Sequence, residues 1–95
     1  MALWTASEVK ERLHLEDDEG DAYIDNLVDA AQAAAENYCR VSFGADAAED
    51  VRDAILLLVA HRLQYRDESD RTAYDTTMKA FQHLLTPYRD PDLMF

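Results

Sequence analysis

Between Asp21 and Cys39 apolar residues recur every three or four positions, at Ile24, Leu27, Val28, Ala31, Ala35 and Tyr38. That spacing gathers them on one face of a helix and leaves Asp25, Asp29, Gln32 and Glu36 mostly on the other. The pattern predicts an amphipathic helix over about 21–39, with an Ala-rich side that lets a partner helix come close. A second long helix is predicted from the Asp46/Glu49 region to about Tyr65, through Val51, Ala54, Ile55, Leu58, Val59 and Leu63. Around Ile55 to Val59 it is apolar on nearly every side. A helix of that kind is either central in its bundle or covered by another subunit.

Two shorter elements flank these. Thr5 followed three residues later by Glu8 reads as a capping box, which opens a helix running to about Leu13. The acidic run from Glu16 to Asp21 breaks that pattern, and Asp18 is placed to cap the next helix. Val41-Ser42-Phe43-Gly44 turns the chain, and Asp46 with Glu49 forms a second cap-like pair. A polar stretch, residues 66–72, reads as a surface loop. Beyond it Asp75 or a neighbour caps a fourth helix presenting Met78, Phe81, Leu84 and Leu85, which Pro87 stops. The expected fold is all-α: a small bundle of four helices, two long and two short, the long pair antiparallel. It forms one domain over residues 1–95 with an extended C-terminal tail from about residue 87. That tail ends in Leu93-Met94-Phe95, which is apolar for a solvated segment.

Charge alters the picture more than bulk composition does. The formal net charge is -11, and the first 53 residues carry 14 acids against 4 bases, whereas the remainder carries 6 against 5. Such a surface repels phosphate and lacks the Lys and Arg clusters that nucleic-acid binding requires. The lone Cys39 excludes an internal disulfide and fits a reducing compartment. Neither a secretory signal nor an apolar run long enough for a membrane helix is legible.

The search for chemistry returns little. His14, His61 and His83 fall on separate segments without a metal-ligand spacing, and the acidic run lacks the ligand order of a calcium loop. No serine has nucleophile-elbow glycines, and two glycines in the whole chain leave no phosphate-cradling loop. No catalytic, cofactor-binding or metal residue is therefore assigned, and the chain is not expected to be an enzyme.

Several segments taken together resemble the head-tail connector (adaptor) family of tailed bacteriophages and prophages, whose members are also labelled DNA-packaging proteins. They are Glu8-Val9-Lys10-Glu11-Arg12-Leu13-His14-Leu15 before its acidic turn, Ala30 to Arg40 with its Glu36-Asn37-Tyr38 end, and Val51-Arg52-Asp53-Ala54-Ile55-Leu56-Leu57-Leu58-Val59-Ala60-His61. The closing Leu84-Leu85-Thr86-Pro87-Tyr88-Arg89 adds to them, so that the likeness runs in order from about residue 5 to residue 89. The resemblance implies a structural role. Subunits made in the host bacterial cytoplasm would form a ring, matched to portal symmetry, beneath the portal vertex after DNA packaging. In the virion they would give the stopper, or tail-completion protein, and the tail their platform. DNA would be passing cargo only, and no membrane or cofactor is involved. On that reading Ile55, Leu58 and Val59 serve the core or a subunit contact, and Tyr88, Arg89, Leu93 and Phe95 dock to the portal. An acidic DNA mimic or regulatory partner, its acids occupying a basic groove on another protein, is the alternative.

Overall fold

A computed structural model describes residues 3–14, 20–44, 46–64 and 71–89. Four helices follow one another: α1 (Ala6–Leu13), α2 (Asp21–Cys39), α3 (Glu49–Gln64) and α4 (Arg71–Leu85), after which a 3-10 turn covers Thr86–Tyr88. Among the described residues there is no strand.

The local rules that start and stop these helices are visible in the contacts. The Thr5 hydroxyl accepts from the Glu8 amide at 3.1 Å, while the Glu8 carboxylate accepts from the Thr5 amide at 3.0 Å. Two amides that the first turn would leave orphaned are thereby satisfied. His14 and Arg40 close α1 and α2 in the left-handed region, with φ of 56° and 59°. The Arg40 amide donates back to the Glu36 carbonyl at 2.7 Å, and the Phe43 amide donates to the Glu36 carboxylate at 2.9 Å. Glu36 thus holds both the last turn of α2 and the chain that leaves it.

Three boundaries differ from the sequence expectation. Gly20, without a side-chain cap, precedes α2, and Asp18 lies outside the described residues. The carbonyl of Ala48 accepts from Val51 and Arg52, so α3 begins one residue later and Asp46 sits too far upstream to be its cap. Most notably, α4 starts at Arg71 rather than near Asp75, and its 15 residues make it almost as long as α3. The sequence places Arg71 and Thr72 in the polar loop because the apolar period becomes regular only from Met78 onward. Pro87 ends the α-helix as expected, but Thr86–Tyr88 continue as a 3-10 turn where an irregular tail was anticipated.

α3 is the central helix. Val51, Ala54, Ile55, Leu58, Val59 and Leu63 are all buried, and α3 packs against both α2 and α4. From α2 come Ile24, Val28, Ala31, Ala35 and Cys39; from α4 come Phe81 and Leu85; Leu3, Trp4, Ala6 and Val9 close the remaining side. Tyr88 at the end of the 3-10 turn reaches Asp50 at the start of α3, so α3 and α4 run in opposite directions. The molecule is a flattened body with principal extents of 45 × 32 × 17 Å.

Candidate interaction surfaces

The segment before α1 is fastened by polar contacts as well as by burial. Trp4 is only 3% exposed, and its indole Nε1 donates to the main-chain carbonyl of Arg52 at 2.9 Å. The guanidinium of Arg52 lies 4.7 Å from the ring centroid of Trp4 and that of Arg12 lies 5.5 Å from it. Each arginine also faces an acid: Arg12 is 3.9 Å from Asp53 and Arg52 is 4.0 Å from Glu8. At those distances and with that exposure, the ion pairs contribute little beside the ring contacts. Next to Trp4, the Leu3 amide donates to the side-chain carbonyl of Gln32 at 2.7 Å.

Gln32 corrects the sequence reading. It was assigned with the acids to the outer face of α2, yet it is 7% exposed. Its position borders the apolar arc, and the segment carrying Leu3 covers it. Trp4 was likewise not singled out as a packing residue, although a lone tryptophan close to a capping box was the available signal.

The second fastening is at the other end of the chain. The Tyr38 hydroxyl pairs with the Thr86 hydroxyl at 3.1 Å, and the Arg89 guanidinium lies 4.7 Å from the Tyr38 ring centroid. Thr86 also donates to the Gln82 carbonyl at 2.7 Å, and the Cys39 thiol donates to the Leu85 carbonyl at 3.6 Å. Arg89 Nε is buried with no hydrogen-bond partner among the described residues. Burial pushes the Cys39 thiol above its ordinary pKa, opposed by the nearby Arg89 charge. The phenol of Tyr88 donates to Asp50 at 3.4 Å, and its pKa is raised by desolvation, by the Asp50 charge and by that bond.

Against this geometry the proposed site residues divide into three groups. Ile55, Leu58 and Val59 lie in the chain's own core. Tyr88 and Arg89 are half-buried and engaged with Asp50 and Tyr38 of the same chain. Leu93 and Phe95 lie outside the described residues. What α3 leaves at the surface is the half-buried row Leu56, Leu57 and Ala60, which the sequence reading passed over in favour of the three core positions.

The histidines do not converge. His14 and His83 are exposed, and the ring nitrogen Nδ1 of His61 pairs with the Thr77 hydroxyl at 3.0 Å. Among the described residues no group of His, Cys, Asp and Glu could hold a metal ion, and no helix is long and apolar enough to cross a membrane.

Residues 5–89 match the model of the family described as phage gp6-like head-tail connector protein, and the chain belongs to that family. It is a structural connector component of the phage virion, from a family that is not an enzyme class and that works with other phage head and tail proteins. No curated protein and no solved structure matches the chain.

Proposed function

We propose that this connector works as one subunit of a ring that seats on the portal after DNA packaging and presents the platform to which stopper and tail attach. The observation that carries this reading is the family match over residues 5–89. Three physical features support it. The chain carries 20 acids against 9 Lys and Arg residues, and an acidic surface turned toward a channel would let DNA slide past without adhering. Half-buried apolar residues on α3 supply area that a neighbouring subunit can cover. The contacts at Tyr38, Thr86 and Arg89 hold the last described residues, up to Arg89, against the body.

The last point refines the docking assignment. Tyr88 and Arg89 position the segment, and Leu93 and Phe95 make the portal contact. Residues 1–95 act as a single unit, and closed symmetry follows if each copy meets the next by the same rotation. Nothing in the contacts favours the DNA-mimic alternative. Removing the gene from the encoding phage tests the proposal. Filled or leaking heads beside unattached tails would support it, and normal tailed particles would overturn it.

A further inference from the structure

On the outer side of the α3–α4 pair, a groove of about 340 Å³ is walled by Leu57, Ala60, His61, Ala73, Thr76 and Thr77. Its walls are mostly apolar or small. Tyr74 beside it is 41% exposed, and its ring lies 5.7 Å from that of His61. At helical spacing the exposed positions of α4 that continue outward from Thr76 are Ala80, His83 and Lys79, with Asp75 beyond them, one turn before Lys79 and beside it on the helix surface.

The far side of α2 has the complementary character. Ala22, Asp25, Asn26, Asp29 and Ala33 are all exposed and fall on one stripe, opposite the buried Ile24, Val28, Ala31 and Ala35. Over its whole length α2 carries acids and no base. Small side chains at Ala22 and Ala33 permit the close helix approach that a shallow groove requires, and Asp25 and Asp29 would flank it with negative charge.

Placement decides which occupant these surfaces suit. α3 packs on both α2 and α4, while α2 and α4 meet through Cys39 with Leu85 and Tyr38 with Thr86 at their C-terminal ends. The acidic stripe of α2 faces away from α3, whereas the groove is walled by α3 and α4, so the two cannot meet within one copy. We infer that the groove between α3 and α4 receives the outer face of α2 from a second copy of this chain, Asp25 and Asp29 lying against Lys79 and His83. Because the two surfaces differ, the contact is head-to-tail, the kind that propagates until rotation closes it into a ring. This rests on the ring reading given above and supplies its subunit contact.

The test mixes an Ala33→Cys variant with a Thr76→Cys variant on the portal encoded by the same genome, under mild oxidation. Both positions are exposed, and Cys39 is fully buried. The expected product is a mixed disulfide dimer, with little self-linking of either variant and a ladder of higher species from the doubly substituted chain. In parallel, Asp29→Lys should reduce portal-bound protein at least tenfold, and adding Lys79→Glu in the same chain should restore most of it. Rings that form without the mixed disulfide, or with Ala33→Cys linked to itself, would overturn the inference and leave the ring reading standing. Failure of the unsubstituted chain to bind the portal would overturn both.

Discussion

Trp4 and Arg52, forty-eight residues apart in sequence, share a hydrogen bond from indole Nε1 to main-chain carbonyl and a guanidinium stacked over the ring. The relationship joins the segment before α1 to the first turns of the central helix.

Trp4→Phe keeps most of the buried ring and loses the donor. The expected cost is about 1–2 kcal/mol, read as a lower urea midpoint by circular dichroism. Trp4→Ala, which also opens a cavity, should cost about 3–5 kcal/mol. Equal midpoints for the parent and both variants would show that the clamp is not part of the cooperative fold.

Gln32→Ala removes the acceptor of the buried Leu3 amide, and should destabilise by about 1–3 kcal/mol. Asp29→Ala, on the exposed side of the same helix, should change the midpoint by less than about 0.5 kcal/mol. Comparing the two by thermal melts separates the buried polar position from the acids with which its sequence pattern groups it.

These positions also show how far the sequence was legible. Helical period alone placed α2, the core of α3 and the apolar residues of α4, because each long helix has an inward face that repeats over several turns. Period could not place Gln32 or Trp4, since their burial depends on a segment that folds across from elsewhere in the chain. Nor could it begin α4 at Arg71: the first turns of that helix are polar, and intrinsic propensity there is weak. The candidate site was least legible. Ile55, Leu58 and Val59 stood out for apolarity, which marks a core as readily as an interface, and only their burial assigns them to this chain's interior.

Ile55→Ala should cost about 2–5 kcal/mol of stability, because Ile55 is fully buried at the centre of the helix layer. Leu57→Ala, at a half-buried position lining the groove, should cost distinctly less while lowering assembly on the portal. The pair is compared by denaturant midpoint and by the fraction of protein bound to portal. Loss of stability from both with no separate effect on binding would remove Leu57 from the contact.

The Cys39 thiol titrates above its ordinary value in the folded chain because burial disfavours the thiolate. The folded state therefore holds its proton longer than the unfolded chain does. This contribution is complete below the ordinary thiol pKa and is lost as pH rises from there through the raised folded value. Urea midpoints measured from pH 7 to pH 10 should fall, and Cys39→Ala, though less stable at pH 7, should show a shallower decline. An unchanged slope would assign the decline to other groups.

Truncation after Arg89 keeps the contacts with Tyr38 and Asp50 and removes Leu93 and Phe95. The expected outcome is an unchanged melting temperature with portal binding lost. Truncation after Thr86 should lower stability as well, since Tyr88 and Arg89 then go too. Full portal binding by the first truncation would exclude Leu93 and Phe95 from docking.

The most direct measurement of the connector function is co-sedimentation of the purified chain with the portal encoded by the same genome, followed by imaging of the complex. The expected result is a ring seated on the portal, with one symmetry throughout. Free protein beside bare portal, persisting at high concentration, would contradict the proposed role.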